Sequence, residues 1–163
     1  AAPGGYILVT RGLYELLSSD SELAAVLGHE ISHCVQRDHY NVIRNQEMAT
    51  LGKDTVSSKT TVATGSPAEL FARQYVEKHG ATILLTSMDR EAEYRADKAA
   101  EIYLARSGMN PMALYSVLQK MASLGTQSAG LAQLYKTHPP LDARMDHIDE
   151  RKYEALAAYV TRD

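Results

Sequence analysis

The segment His29-Glu30-Ile31-Ser32-His33 is the part of the chain whose residue types and spacing most directly suggest chemistry. It is an H-E-x-x-H motif, and on an α-helix its two histidines lie one turn apart on one face, so both imidazoles can reach one metal ion. Glu30 points away from direct coordination but lies close enough to contact a water at the metal, as a general base would. The motif therefore predicts a catalytic metal site. One zinc ion is the default, because two imidazoles, a carboxylate and an open position form a catalytic zinc set.

Two residues are candidates for the third ligand. His39 follows the first motif histidine by ten residues, which is the spacing of the longer H-E-x-x-H-x-x-G-x-x-H motif. That motif needs a helix break, but Gln36 stands at the glycine position and favours a continued helix, on which His39 points away from the site. The better candidate is Glu93, which precedes Asp97 by one helical turn. We expect Glu93 to bind the metal and Asp97 to accept the distal N–H of a motif histidine.

Helices must position these residues. Apolar spacing predicts a long helix from about residue 21 into the forties, with an apolar stripe that packs on a core: Leu23, Leu27, Ile31 and Cys34. Cys34 is then a small core residue rather than a thiolate ligand. A second helix over 88–106, with Ser87 as its N-cap, carries Glu93 and Asp97. Small residues along it would let the two helices approach closely enough to share an ion.

The remaining elements are shorter. Helices are predicted over 11–18 and 67–80, from 110 to a stop at Gly125, and in a last stretch after residue 140. The polar, Ser- and Thr-rich segment at about 54–67 has no helical period and is predicted to be a mobile loop. The clearest strand begins at Tyr6 and ends at Thr10, after a Gly-Gly turn.

Size and charge exclude some classes of protein. The chain has 163 residues, which suggests a single domain over 1–163. It contains 17 Lys and Arg against 20 Asp and Glu, and the net charge of −3 does not favour nucleic acid as a partner. The longest apolar runs have about five residues, far fewer than the roughly 18 that span a bilayer. One cysteine rules out an intramolecular disulfide, and the abrupt start beside a strand suggests an excised domain.

The motifs together resemble peptidase family M48, specifically its BepA-like and HtpX-like catalytic domains. The resemblance rests on four pieces in family order: Pro3-Gly4-Gly5-Tyr6 running into Thr10-Arg11-Gly12-Leu13, the segment from Ser21 to His33, Glu93-Tyr94-Arg95-Ala96-Asp97, and Thr137-His138-Pro139-Pro140. It implies a gluzincin, that is, a mainly α (α+β) zincin-type domain. Its helices would bundle around the H-E-x-x-H helix, with a small N-terminal β edge on which substrate peptide pairs. It also implies zinc ligation by His29, His33 and Glu93.

The resemblance gives two later residues roles with open alternatives. His138 would be either a fourth zinc ligand that blocks the resting enzyme or a hydrogen-bond donor to substrate, against the simpler reading of a surface histidine at a helix start. Arg144 would stabilise transition-state charge or bind a substrate carboxylate, against the simpler reading of a surface salt bridge.

The expected function is that of a zinc-dependent metalloendopeptidase acting on proteins or peptides. The rival hypotheses are a zinc-stabilised, non-catalytic chaperone-like or interaction module and a metal-free helical domain. HtpX and the prenyl proteases of the family carry transmembrane helices, whereas this chain has no apolar run long enough to form one. The resemblance therefore favours the periplasmic or cell-envelope branch, with the cytoplasm as the alternative location.

Overall fold

The computed structural model describes residues 1–51, 86–125, 131–138 and 141–149. Within these ranges the chain is mainly helical, and its helices in chain order are α1 (Arg11–Leu16), α2 (Asp20–Gln36), α3 (Asp38–Leu51), α4 (Arg90–Arg106), α5 (Ala113–Leu124), α6 (Ala132–Thr137) and α7 (Leu141–Asp149). Helices α1, α5 and α7 correspond to predicted helices, whereas α6 has no predicted counterpart. The predicted loop at 54–67 and helix at 67–80 lie outside the described residues.

Helix α2 begins close to the predicted start at about residue 21 but ends earlier than predicted. The Ser19 hydroxyl accepts a hydrogen bond from the Glu22 amide, and the Glu22 carboxylate accepts one from the Ser18 amide, so two free N–H groups are satisfied. The helix stops at Gln36 because Arg37 adopts the left-handed conformation, with φ of 56°. The predicted continuous helix into the forties is therefore wrong. The chain turns at Arg37, and a separate helix, α3, starts at Asp38.

The predicted packing face of α2 is also wrong. Ile31 is 43% exposed, and Leu23, Leu27 and Cys34 are only partly buried. The fully buried face carries Ala25, Val26 and Gly28 together with polar residues, including the motif histidines and Glu30. The apolar stripe therefore lies toward the surface. The face that carries the motif is buried because another helix covers it with complementary polar groups.

That covering helix is α4, the main packing partner of α2. Its N-cap is Asp89, which accepts from the Ala92 amide, and not the predicted Ser87. Ala96 and Ala100 on its buried face are completely inaccessible to solvent. A Cβ at Gly28 would lie only 3.4 Å from the Cα of Ala100, so two small residues set a close approach of the backbones.

The apolar core is shared by several helices, including α2 and α4. Two clusters of buried side chains join α2 to α4, α5, α7 and the N-terminal segment; their largest members include Leu13, Leu104, Leu114, Leu118, Leu131 and Ile148. Helix α5 is amphipathic and contributes apolar residues to both clusters. It stops, as predicted, at its C-cap Gly125, whose φ is 64°. This core packs α2, α4, α5 and α7 against one another.

The predicted N-terminal strand is not formed. Tyr6 makes one isolated antiparallel bridge to Ala2, and residues 7–10 have no regular structure. A strand is stable only when a neighbouring strand pairs with it, and the described residues supply none, so β propensity alone does not suffice. The edge on which a peptide was expected to pair is therefore absent from the described residues. Among the same residues, no helix is both long and apolar enough to cross a membrane.

Candidate metal centre

The two motif histidines meet at their Nε2 atoms inside the protein. His29 and His33 are 5% and 1% exposed, and their Nε2 atoms lie 3.1 Å apart. Tetrahedral zinc with nitrogen ligands at about 2.0–2.1 Å places two such nitrogens roughly 3.3 Å apart. The spacing of the two imidazoles therefore suits a shared cation.

Glu93 brings the third donor from α4. Its side chain is fully buried, with Oε1 3.2 Å from His33 Nε2 and Oε2 3.6 Å from His29 Nε2. Arg144 Nη1 lies 2.9 Å from Oε2, yet this oxygen has no hydrogen-bond partner of acceptable geometry among the described residues. A buried carboxylate oxygen without a hydrogen bond is costly, which is a reason to expect a cation at this point. The two imidazoles and the buried carboxylate of Glu93 therefore fit a zinc ion.

His138 completes a group of four. This residue directly follows α6, and its Nδ1 lies 3.0 Å from Glu93 Oε1 and 3.5 Å from His29 Nε2. The ligand atoms of His29, His33, Glu93 and His138 all lie within 4.8 Å of one another. His138 is 9% exposed, so it is not the surface histidine of the simpler reading.

Glu30 lies beside this group and not within it. It is 7% exposed, and its Oε1 is 3.4 Å from His138 Nε2. Burial opposes ionisation of Glu30, but the charges of His138 and His29 lower its pKa below the ordinary value. Glu30 is therefore an ionised carboxylate at neutral pH, as a general base must be.

Each motif histidine is held from behind by a different carboxylate. His29 Nδ1 is 2.9 Å from Asp97 Oδ1, and His33 Nδ1 is 2.8 Å from Asp38 Oδ2. Asp38 is absent from the sequence-based candidates, because it reaches His33 only through the turn at Arg37. Burial lowers the pKa of His33, but the hydrogen bond to Asp38 and the contacts with Glu93 outweigh it and raise that pKa to about 9.

Arg144 lies behind the ligands, with 3% of its surface exposed. Its Nε and Nη2 donate to the two oxygens of Asp97 at 2.9 and 2.7 Å, and its Nη1 is 3.4 Å from the His138 carbonyl. Burial opposes ionisation of Glu93, but Arg144 and His29 hold the pKa of that carboxyl far below its ordinary value. The guanidinium thus neutralises two buried carboxylates and links α7 to α4. It is not a surface salt bridge.

The two rejected ligands also have defined places. The His39 ring stands edge-on to the His33 ring with centroids 5.9 Å apart, and His39 does not belong to the group of four. Burial and the nearby positive charges lower the pKa of His39 to about 4. Cys34 is half-buried with Sγ 4.0 Å from the Ala2 carbonyl, and it too lies outside the group.

Comparisons with known proteins agree on one family. The model of peptidase family M48 matches residues 1–152. The chain is 30% identical over 149 residues to the beta-barrel assembly-enhancing protease of Yersinia pestis, covering 91% of this chain and 31% of that protein. It is 28% identical to the metalloprotease LoiP of Escherichia coli K12, covering 93% of this chain and 57% of that protein.

It is also 29% identical to the mitochondrial metalloendopeptidase OMA1 of Arabidopsis thaliana, covering 84% of this chain and 26% of that protein. The chain thus spans about three-tenths of the length of the first of these relatives. No solved structure matches it significantly. Since the family model covers nearly the whole chain and its signature residues converge in the structure, this protein belongs to peptidase family M48.

Proposed function

We propose that residues 1–163 contain the catalytic domain of a zinc-dependent metalloendopeptidase that hydrolyses peptide bonds of protein substrates. The single observation that carries the proposal is the convergence of His29, His33 and Glu93 from two helices on one buried point, with the ionised carboxylate of Glu30 beside it. The names of the relatives, which include a metalloprotease and a metalloendopeptidase, support the same class of reaction.

Each site residue has a distinct proposed role. His29, His33 and Glu93 would hold one zinc ion, which when bound supplies a Lewis acid that polarises the scissile carbonyl and acidifies water. Glu30 would take the proton from the attacking water and pass it to the leaving amine. Asp97 would keep the Nδ1 proton of His29, so that its Nε2 lone pair faces the metal. Arg144 is proposed as a positioning residue that holds Asp97, Glu93 and the His138 carbonyl, rather than as a group that contacts substrate.

Glu30→Gln tests the general base. The variant should keep one equivalent of zinc and lose casein hydrolysis by at least about a hundredfold, because general-base catalysis contributes roughly 10²–10⁴ in rate. Glu15→Gln is the matched control, since Glu15 is exposed on α1. Zinc content by elemental analysis and casein cleavage are measured for all three proteins. Cleavage by Glu30→Gln at the parent rate would show that the assignment is wrong.

His138 is proposed as a fourth ligand that inhibits the resting enzyme. Its Nδ1 faces Glu93 and His29 inside the ligand group, where a water or substrate would otherwise bind. His138→Ala should then raise the initial rate of casein cleavage several-fold with zinc retained. A loss of activity with zinc retained would instead favour a hydrogen-bond donor to substrate.

The same closed group of four side chains is what favours the second candidate function, a zinc-stabilised non-catalytic module. An intact Glu30 argues against that module, because a structural site needs no base. The two functions differ in one result: if both the parent and His138→Ala bind zinc and neither cleaves any protein, the non-catalytic module is correct. The cell-envelope location stays a prediction, which fractionation of cells that express the complete protein would test.

A further inference from the structure

Asp38 makes a contact that no functional assignment above explains. It is the first residue of α3 and is 5% exposed, and its Oδ2 lies 2.8 Å from the Nδ1 of His33. Any aspartate in the first turn of a helix gains from the helix dipole, and Asp20 in α2 occupies such a place while exposed to solvent. A role in the helix start alone therefore does not require Asp38 to be buried against an imidazole.

The chain brings Asp38 to His33 by a local backbone device. Arg37 adopts φ of 56° and ψ of 34°, which reverses the chain one turn after His33. This conformation costs a non-glycine residue about 1 kcal/mol or more. The two residues are five positions apart and would not share a face on a continuous helix. The turn brings the Asp38 carboxylate of α3 to the Nδ1 atom of His33 in α2.

A second helix holds the carboxylate in that orientation. Arg95 of α4 donates from Nη2 to Asp38 Oδ1 at 3.2 Å and from Nε to Gln36 Oε1 at 2.8 Å. Asp38 thus has one oxygen on His33 and the other on Arg95. Asp97 likewise lies between His29 and Arg144, although its Oδ1 contacts both of them and its Oδ2 accepts from Arg144 Nε. Each motif histidine is therefore backed by a carboxylate that an arginine orients.

We propose that Asp38 is a positioning residue for His33. By accepting the Nδ1–H of His33, Asp38 selects the tautomer whose Nε2 carries a lone pair and aims it at the point shared with His29 and Glu93. The inference rests on the proposed function, in which that point holds zinc. Partners of this kind also make the ligating nitrogen more basic, and their removal typically weakens metal binding 10- to 100-fold.

The test compares Asp38→Ala, which removes the acceptor, with Asp38→Asn, whose amide oxygen can still accept from Nδ1–H. Asp20→Asn is the matched control, because it also removes a carboxylate from the first turn of a helix. His29→Ala shows the loss of a direct ligand. For each protein we would measure the zinc Kd by competition with a chelator and the unfolding free energy of the chelated protein. Histidine ¹⁵N and ring N–H NMR signals of the zinc-loaded protein complete the set.

Asp38→Ala should raise the zinc Kd by about 10- to 100-fold. The Nδ1–H signal of His33, slow to exchange in the parent, should disappear by exchange with water. Asp38→Asn should recover part of the affinity and the signal, and Asp20→Asn should bind zinc as the parent does. If Asp38→Ala fails to fold, Asp38→Asn carries the test, with a Kd above that of the parent.

Two results would overturn the inference, and they differ from each other. In the first, the parent binds zinc, His29→Ala does not, and the Asp38 variants keep the parent's Kd and His33 signal. This result would leave the proposed function standing and exclude the role of Asp38. A merely structural Asp38 gives that pattern together with lower stability of the chelated protein. A parent that binds no zinc would refute the proposed function and the inference with it.

Discussion

Replacing Arg144 by methionine should severely destabilise the protein even without metal. Arg144 is 3% exposed and donates to both oxygens of Asp97, and its Nη1 lies 2.9 Å from Glu93 Oε2. Both carboxylates are fully buried, so Arg144→Met leaves two negative charges without their main countercharge. Removing one partner of a buried ion pair costs about 3–5 kcal/mol.

Arg11→Met is the matched control. Arg11 also forms an arginine–carboxylate pair, with Glu15 at 2.7 Å, but the two side chains are 90% and 59% exposed. Solvent screens such a helical pair, and its loss costs about 0.3–0.5 kcal/mol. The two substitutions remove the same type of side chain and differ in burial, so the difference between them isolates the effect of the buried charges.

The assay is urea unfolding of the chelated proteins, followed by circular dichroism, with thermal melts alongside. For a chain of this length each kcal/mol shifts Tm by about 2–4 °C, so Arg144→Met should lower Tm by roughly 6 °C or more. Arg144→Lys should fall between the two, because it keeps the charge and loses the two-pronged contact. If Arg144→Met lost no more stability than Arg11→Met, the buried-charge reasoning would be refuted.

Two further substitutions test the fold around the site. Gly28→Ala should be nearly neutral, because its Cβ would lie at ordinary contact distance from Ala100, whereas Gly28→Val should cost about 1–3 kcal/mol by overpacking and weaken zinc binding. Thermal melts and zinc titration measure both. Burial raises the pKa of Glu22, but the Lys120 ammonium and the Ser18 amide hold it below its ordinary value of 4.5. The stabilisation by this carboxylate is therefore present above pH 4.5 and lost as the pH falls further, so Glu22→Gln should be less stable than the parent at pH 7 and approach it at pH 3.

For the glycine pair, equal zinc affinity in Gly28→Val and the parent would show that the spacing of α2 and α4 does not control the site. For Glu22, a stability gap that is the same at both pH values would show that the charge of this carboxylate is not what stabilises the contact with Lys120.

The local features of the site could be predicted from the sequence because they depend on helical geometry. His29 and His33 are four residues apart, and so are Glu93 and Asp97, and this spacing alone places each pair on one face of its helix. The resemblance to M48 added His138 and Arg144, which no spacing rule connects to the motif.

Features that depend on contacts between distant segments could not be predicted. The apolar stripe of α2 suggested the wrong buried face, because α4 and α7 bring carboxylates and a guanidinium that make burial of the histidine face favourable. The strand from Tyr6 is absent for the same kind of reason, since its β propensity finds no paired neighbour among the described residues.

Asp38 shows this limit most clearly. A helix-favouring Gln36 predicted that α2 would continue, and on a continuous helix Asp38 and His33 do not share a face. The left-handed turn at Arg37 is costly locally and is offset by contacts that exist only after folding: the Asp38–His33 hydrogen bond and the two donations from Arg95 of α4. Residue spacing is enough to predict which side chains share a helix face. The groups that contact those side chains from behind depend on the folded arrangement, because they come from separate helices whose approach is a property of the whole fold.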